Sequence, residues 1–367
     1  MATKAVVAMS GGVDSSVAAA LLVQGGFDVT GVMLKLWRGE AENNASGCCN
    51  VGAADDARRV ADVLGIPFYV LNFAERFEDS VVDDFRRTYA AGRTPNPCVR
   101  CNQWIKFDAL LERTCALGAE VLATGHYARV ARAGEGFRLL RGVDRAKDQS
   151  YVLWMLGQEA LSRCMFPIGD LDKTETRRIA TELGLRTASK PDSQEICFVR
   201  NGDLPRYIAQ EVPEASIEGP IVDRSGRELG RHQGIGRYTV GQRKGIGISL
   251  GRPIYVSSID ARSNSVTIGE RAELGVDALV LEETSAVAEE LLPGEEVLLQ
   301  HRAHGEVHAA EIASSGRGRL EIAFRQPAEA IAPGQSAALY SSSKTEELRG
   351  GGIIASVVQS ATPAAAR

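Results

Sequence analysis

Residues 4–22 have the sequence KAVVAMSGGVDSSVAAALL, in which a valine-rich run is joined to a segment with an apolar helical face. The run Ala5 to Met9 is typical of a buried parallel strand, and Val13 to Leu22 is typical of a helix. The glycines between them let a ligand approach the backbone closely. A helix N-terminus also presents unpaired N–H groups and a partial positive charge. The stretch therefore predicts a phosphate-binding loop between a strand and a helix.

This loop differs from two common phosphate-binding loops. It lacks the Gly-Lys-Ser/Thr of a Walker A loop, so no lysine of the loop can reach a terminal phosphate. It also lacks the GxGxxG of dinucleotide-binding folds. A plain strand-to-helix turn with a serine N-cap would explain two glycines, but not the whole string SGGVDSS. That string resembles the PP-loop of the adenine-nucleotide α-hydrolases, which implies ATP binding with chemistry at the α-phosphate.

The composition describes an ordinary globular chain of more than one domain. Its 367 residues are 44% hydrophobic and 24% charged, without an apolar run of 18 residues or a secretory leader pattern. We therefore expect a soluble, cytoplasmic protein that does not contact membranes. Seven cysteines, an odd number, argue against a disulfide framework and favour thiol chemistry or metal binding. The net charge of −5 means that any nucleic-acid contact needs a locally basic surface.

The pattern of elements changes twice along the chain. Up to about residue 200, strand-like runs such as DVTGVML, IPFYVLNF and AEVLATG alternate with helical segments, which predicts an α/β domain with a parallel sheet covered on both faces. Ligands of such sheets bind at the carboxyl ends of the strands, where both SGGVDSS and TGHY fall. A glycine-dense segment follows Gly219, and alternating strands after about residue 275 predict a small β-barrel or sandwich. We predict a catalytic domain over 1–205, a small central domain over 206–275, a β-barrel over 276–360 and a flexible tail over 361–367.

The cysteines fall into two groups. Cys98 and Cys101 form a CxxC in TPNPCVRC. This pair could be half of a zinc knuckle completed by Cys48 and Cys49, or a dithiol redox pair. Cys197 is distant in sequence but could return to the same sheet edge. The other two lie in apolar, helix-like contexts and are predicted to be small core residues: Cys115 and Cys164.

Seven motifs occur in an order and at spacings that resemble one family. They are MSGGVDSSV, AGRTPNPCVRCNQWIKF, ATGHYAR, KDQSYVLW, DSQEICF, GQRKGIGI and PGQSAALY. Together they resemble the MnmA-type tRNA-specific 2-thiouridylases over essentially the whole chain. The resemblance implies a PP-loop catalytic domain, a small central domain and a C-terminal β-barrel that helps to bind tRNA.

The resemblance also implies roles for individual residues. Cys101 would be the nucleophile and Cys197 would carry a persulfide. The target base would contact Asn96, Pro97 and Cys98, although some members of the family have an aspartate at this last position. The nucleotide would be bound by Ala8, Met9, Ser10, Gly11, Gly12, Val13, Asp14, Ser15, Leu34 and Gly125. The tRNA would contact His126, Lys147, Asp148, Gln149, Arg302 and Gln335.

The implied reaction is the ATP-dependent 2-thiolation of a wobble uridine. ATP, with Mg²⁺, would adenylate O2 of the base, and AMP would then leave as sulfur arrives. The sulfur would come from a partner protein that loads the persulfide, and a reductant would reset a Cys101–Cys197 disulfide. The substrate is an anticodon loop, whose target base would leave the stack, with phosphate contacts from the basic GQRKGIG segment.

Other interpretations share parts of this evidence. A PP-loop ligase acting on a small molecule would use the same loop without the two cysteines. A 4-thiouridine synthetase would be expected to carry a separate RNA-binding domain before the loop. A tRNA-binding or persulfide-carrier protein would need no intact loop. An iron–sulfur cluster held by Cys98, Cys101 and Cys197 is the alternative to the persulfide.

Overall fold

The computed structural model describes residues 2–37, 51–191, 196–199 and 202–360. Two predictions lie outside these ranges: the pairing of Cys48 and Cys49 with the CxxC, and the flexible tail. The β-strands, in chain order, are β1 (Lys4–Ala8), β2 (Asp28–Lys35), β3 (Phe68–Asn72), β4 (Val121–Thr124), β5 (Ala128–Ala133), β6 (Gly136–Arg141), β7 (Cys164–Met165), β8 (Gly219–Val222), β9 (Glu228–His232), β10 (Tyr255–Asp260), β11 (Ser265–Gly269), β12 (Gly275–Ala286), β13 (Glu296–Gln300), β14 (Val307–Gly316), β15 (Arg319–Glu329), β16 (Ser336–Ser341) and β17 (Glu347–Gln359).

The helices are mostly short and belong to the first part of the chain. Two of them widen into π-helical turns, at Glu78–Val82 and Cys101–Leu110, where the backbone bonds skip one residue more than in an α-helix. The α-helices are α1 (Val13–Gln24), α2 (Val51–Leu64), α3 (Ala74–Phe77), α4 (Asp83–Ala90), α5 (Pro97–Arg100), α6 (Leu111–Ala116), α7 (Gln158–Arg163), α8 (Lys173–Glu182) and α9 (Leu204–Glu211).

The first domain is built on a parallel sheet with the order β3-β2-β1-β4-β7 in the described residues. Successive residues of β1 enter different cores: Val6 belongs to one apolar cluster, and Ala5 and Val7 belong to another. Because side chains alternate along a strand, this division means that both faces of the sheet are covered. The predicted α/β class is confirmed. One local prediction was wrong: Cys164 lies in a strand, β7, and not in a helix.

The central segment forms a mixed sheet with the order β10-β11-β8-β9. The two outer pairs are antiparallel, and β11 and β8 are parallel. The last segment forms a closed barrel, because β12 pairs with both β15 and β17. The alternative of an open sandwich is therefore excluded for this segment. In the part of the chain that the structure describes, no helix is long and apolar enough to cross a membrane.

A hairpin from the first domain extends the sheet of the barrel. Strands β5 and β6 are antiparallel, and β6 pairs with β17 through Leu139 and Leu348. Sequence patterns did not indicate this pairing, because the two partners lie far apart in the chain. The predicted domain boundaries stay a prediction, and this hairpin joins the first and last domains in one sheet.

Candidate nucleotide and thiol site

The PP-loop lies where β1 ends, beside the end of its neighbour β4. Gly11 has a φ of 71°, and a Cβ there would lie 2.2 Å from the carbonyl oxygen of Ala53. Across the loop, a Cβ on Gly125 would lie 2.6 Å from the backbone nitrogen of Ser15. Both positions therefore require glycine, since any side chain would collide with backbone atoms. Gly11 thus lets the loop pack against α2, and Gly125 lets the chain after β4 pack against the first turn of α1.

Hydroxyl groups and backbone N–H groups line this loop. Ser15 Oγ accepts a hydrogen bond of 3.1 Å from the backbone N–H of Ser10, which is exposed. Ser16 Oγ donates to the carbonyl of Gly12 at 2.8 Å. Gly12 precedes α1, and in the described structure no side chain caps the N–H groups of that first turn. The loop thus has the donors and the helix-end charge that bind a phosphate.

Asp14 of the loop is bound by residues from elsewhere in the chain. Lys173 Nζ lies 2.7 and 2.9 Å from the two carboxylate oxygens of Asp14, although 159 positions separate the residues. Tyr127 donates its hydroxyl to Asp14 at 2.9 Å and lies 3.1 Å from Thr176 Oγ1. Lys173 and Thr176 both belong to the first turns of α8. This helix therefore brings a positive charge to the phosphate loop.

A second lysine reaches the same loop. Lys190 Nζ donates to the carbonyl of Gly11 at 2.9 Å and pairs with Asp56 at 2.9 Å. The sequence had indicated no lysine within the loop for a terminal phosphate, and the structure supplies two from distant segments. The motif could not reveal them, because their proximity arises only from the packing of the later segments on α1 and α2.

The remaining predicted nucleotide residues lie on the neighbouring strands. Leu34 is buried near the carboxyl end of β2, and Met9, immediately after β1, donates its backbone N–H to Val32 at 2.8 Å. Val13 is the first residue of α1 and is buried, while Ala8 is the last residue of β1 and is half-buried. The predicted set thus shares one sheet edge, and its contact with a nucleotide stays a prediction.

The CxxC lies at the start of helix α5, where Asn96 caps the helix and Pro97 begins it. Asn96 Oδ1 accepts from the backbone N–H of Val99 at 3.3 Å, and Pro97 takes the first helical position. Cys98 is exposed, whereas Cys101 is buried at the point where the helix widens into its π-helical turns. The two thiols therefore face different surroundings although they are three residues apart.

Helix α4 brings the segment of Cys197 close to the CxxC helix. Phe198 packs edge-on against Phe85 of α4, with ring centroids 5.0 Å apart. The preceding residue of α4, Asp84, lies 3.3 Å from Nε of Arg100, which belongs to the CxxC. Cys197 is half-buried and packs against the same apolar cluster that contains Cys101. Consecutive residues of one helix therefore anchor the two cysteine segments.

His126, a predicted tRNA contact, is buried and not at the surface. Its Nδ1 lies 2.7 Å from Thr124 Oγ1, and its ring packs between Phe107 and Phe166 at 5.8 and 5.9 Å. Burial, together with the positive charge of Lys106, lowers the pKa of His126 well below its usual value. The imidazole is therefore neutral at pH 7, and its role in tRNA binding stays a prediction.

We expect a His126→Phe variant to lose less stability on acidification than the wild type. The folded-state pKa of His126 lies below that of the unfolded chain, so the unfolded chain binds the additional proton and stability falls as pH drops through about 6.5. Between pH 7 and pH 5 the wild type should therefore lose more stability than the variant does. Urea unfolding at the two pH values measures this difference, and equal losses would contradict the burial of a neutral imidazole.

The KDQS segment is held by internal hydrogen bonds. Asp148 is buried and accepts from Arg141 Nη1 at 2.7 Å and from the backbone N–H of Gly142 at 3.0 Å. Gln149 accepts from the backbone N–H of Tyr127 at 3.0 Å. Lys147 is half-buried. Asp148 and Gln149 thus hold the loop that follows β6, and any contact of this segment with tRNA stays a prediction.

The two barrel residues predicted to contact tRNA occupy different positions. Gln335 donates its amide to the carbonyls of Thr94 and Pro95 at 3.1 and 3.0 Å, so it binds the loop that precedes the CxxC. Arg302 is exposed and donates to the carbonyl of Ala330 at 2.8 Å. Of these two side chains, only the amide of Gln335 joins the barrel to the first domain.

The residues at the PP-loop offer carboxylate oxygens of the kind that Mg²⁺ binds. Mg²⁺ is commonly bound by one or two carboxylates together with the phosphates of its substrate. Asp14 and Asp56 flank the loop and could supply those carboxylates, in competition with Lys173 and Lys190. Over the described ranges no group of three or more histidine, cysteine or acidic side chains is arranged to hold a metal ion by itself.

Three family models match consecutive parts of the chain. Residues 3–201 match the tRNA methyl transferase HUP domain, and residues 205–270 match the tRNA methyl transferase PRC-barrel domain. Residues 276–354 match the Aminomethyltransferase beta-barrel domain. The matched ranges follow the three parts of the fold.

Curated relatives match the chain over nearly its full length. A protein of Natranaerobius thermophilus is 44% identical over 96% of this chain and 98% of its own. One of Carboxydothermus hydrogenoformans is 45% identical over 96% and 97%, and one of Roseiflexus castenholzii is 46% identical over 92% and 96%. All three are named tRNA-specific 2-thiouridylase MnmA. With the PP-loop, the CxxC and the closed barrel in place, this chain belongs to the family of tRNA-specific 2-thiouridylases.

Proposed function

We propose that this enzyme converts the wobble uridine of tRNA to 2-thiouridine, using ATP to activate the base and a cysteine persulfide to supply sulfur. The observation that carries the proposal is the anchoring of both cysteine segments, around Cys101 and Cys197, on consecutive residues of α4. A PP-loop ligase for a small molecule would need neither thiol.

The first step is the activation of the base. O2 of the uridine attacks the α-phosphate of ATP, forming an O–P bond and releasing pyrophosphate. The first turn of α1 would hold the departing phosphates through its N–H groups and the Ser10 hydroxyl. Lys173, whose ammonium lies 2.7 Å from Asp14, would bring its positive charge toward the same phosphates. Mg²⁺ bound to Asp14 or Asp56 would add charge to the same phosphates.

The second step replaces the adenylated oxygen with sulfur. The terminal sulfur of a persulfide on Cys197 attacks C2, AMP leaves with the O2 oxygen, and the thiolate of Cys101 then attacks Sγ of Cys197. That attack breaks the S–S bond, leaves sulfur on the base and forms a Cys101–Cys197 disulfide. If Cys101 attacks first, hydrosulfide is released and then displaces AMP, and the same disulfide results. Either route needs an external dithiol reductant to restore both thiols.

Two macromolecular partners follow from this scheme. The tRNA anticodon loop is the substrate, and its uridine would meet Asn96, Pro97 and the exposed Cys98 at the N-terminus of the CxxC helix. A persulfide-bearing protein would load Cys197, whose half-buried position leaves part of the side chain accessible. The basic side chains of the GQRKGIG segment, Arg243 and Lys244, are exposed and would contact RNA phosphates.

One reconstitution tests the function. Purified protein is incubated with ATP, Mg²⁺, sulfide, a dithiol and unmodified tRNA, and the digested nucleosides are analysed by mass spectrometry. We expect 2-thiouridine that depends on ATP and is absent from a tRNA transcript with cytidine at the wobble position. Formation of 4-thiouridine, or AMP release with no change in the tRNA, would contradict the proposal.

A further inference from the structure

Strand β12 of the barrel contains an irregularity opposite the CxxC loop. In a regular strand, successive side chains point to opposite faces of the sheet. Here the pairing of β12 with β17 shifts register between Glu282 and Ser285, and Glu283 has a left-handed φ of 51°. Such a conformation is unfavourable for a residue with a side chain, and residues held in it concentrate at functional sites.

The irregularity lets two consecutive glutamates reach the same segment of the first domain. Glu282 Oε1 lies 2.8 Å from Arg93 Nη1. Both carboxylate oxygens of Glu283 accept from Arg100, from Nη1 and Nη2, each at 2.7 Å. The segment from Arg93 to Arg100 is therefore paired with the barrel at both ends. It also contains the three residues predicted to contact the target base, which are Asn96, Pro97 and Cys98.

Arg100 is the more strongly held of the two arginines. It is only 6% exposed, and its Nε lies 3.3 Å from Asp84. Its Nη1 also donates to Gln103 at 3.1 Å, and its guanidinium lies 4.5 Å from the ring centroid of Trp104. A buried guanidinium needs such partners, and the two parallel hydrogen bonds to Glu283 fix its plane as well as its position.

We propose that Glu283 and Arg100 are positioning residues that fix the CxxC turn, so that the barrel determines where the Cys101 thiol is presented. Arg100 directly precedes Cys101 in the chain, so a displacement of its guanidinium moves the turn that carries the thiol. The strained conformation of Glu283 is maintained because it aims the carboxylate at Arg100. The catalytic meaning of this arrangement rests on the proposed function, in which Cys101 is the nucleophile.

The test compares Glu283→Gln with Glu296→Gln. Glu296 forms an exposed ion pair with Arg325, also of the barrel, at 2.6 Å, so its variant controls for the loss of a barrel carboxylate. Glu283→Gly is the second test variant, because glycine relieves the left-handed backbone while it still removes the carboxylate. For each protein we would measure the alkylation rate of Cys101 by peptide mass spectrometry, the melting temperature, and kcat and KM for tRNA thiolation.

Both Glu283 variants should release the turn. We expect Cys101 alkylation to rise about fivefold and kcat to fall about tenfold, with KM for tRNA within about twofold of wild type. Glu296→Gln should match the wild type in all of these. Arg100→Lys should behave as Glu283→Gln does, since an ammonium keeps the charge but cannot form two parallel bonds.

Three results would overturn the proposal. Wild-type alkylation of Cys101 in Glu283→Gln means that the turn does not depend on the barrel. If Glu283→Gly has wild-type kcat, any loss of kcat in Glu283→Gln would come from backbone strain and not from the missing carboxylate. Raised alkylation with unchanged kcat would separate the turn from catalysis. Alkylation is measured without tRNA, so it decides the positioning role even if the wild type forms no 2-thiouridine, in which case the proposed function fails by itself.

Discussion

In an assay without free sulfide, replacement of Cys197 by serine should lower multiple-turnover formation of 2-thiouridine by about 10³-fold or more, because a hydroxyl cannot carry the sulfane sulfur. Supplying a persulfide donor should not rescue this variant. Cys101→Ser should also fail to turn over, since the disulfide that completes sulfur release cannot form. It should nevertheless accumulate a persulfide on Cys197, detectable as a mass increase of one sulfur on the tryptic peptide.

Two further variants make this result specific. Cys115→Ser removes a half-buried thiol that lies 3.3 Å from Arg163 Nη1, and it should retain wild-type turnover. Cys98→Asp should retain substantial activity, because a carboxylate at this position could still accept a proton or orient the uridine. Sulfane sulfur found on Cys101, with activity in Cys197→Ser, would reverse the two roles. Stoichiometric iron and acid-labile sulfide, with an inactive Cys98→Asp, would favour the cluster.

An Asp14→Ala variant should lose adenylation by about 10²-fold or more while its affinity for tRNA stays within about twofold of wild type. Without the carboxylate, the half-buried Lys173 and the hydroxyl of Tyr127 lose a common partner, and the first turn of α1 loses its contacts with both. Ser10→Ala should show a loss in the same direction. Pyrophosphate release and filter binding of labelled tRNA measure the two quantities.

Arg178→Ala provides the matched control for this loop. Arg178 lies on α8, the helix of Lys173, but its partner at 2.6 Å is the exposed Glu175. Its removal should leave both adenylation and tRNA binding unchanged. Wild-type thiolation by both Asp14→Ala and Ser10→Ala would contradict the assignment of the PP-loop.

The sequence was most informative where function depends on contiguous residues. The pattern of β1, loop and α1 is local, since valines, glycines and serines define it within about twenty positions, and Gly11 and Gly125 are explained by clashes that only glycine avoids. The barrel strands were likewise visible as alternating runs. The motifs could not show which side chains are buried. The pattern around His126 is that of a strand end, whereas the burial of its ring depends on Phe107 and Phe166 from other segments.

Residues that contact partners far away in the chain were missed for a related reason. Lys173, Lys190 and Glu283 each resemble ordinary surface charges in the sequence, because nothing in their neighbours indicates Asp14, Gly11 or Arg100 as the partner. The side chain of Asp172 accepts from the backbone N–H of Glu175 and so caps the start of α8. This cap marks where the helix begins, but it does not show which residue the side chain of Lys173 will contact. Only the assembled sheet and barrel determine which distant charges meet.

The pairing of β6 with β17 has a consequence for how the chain folds during its synthesis. Leu139 leaves the ribosome long before Leu348, its partner. At roughly 5–20 residues per second, the hairpin waits on the order of 10 s or more with an unpaired strand edge. A nascent chain that stalls after the central sheet would expose that edge, and exposed edges recruit other strands. The hairpin therefore reaches its final pairing only when the last strand has been made, so the first domain and the barrel are joined in one sheet late in synthesis.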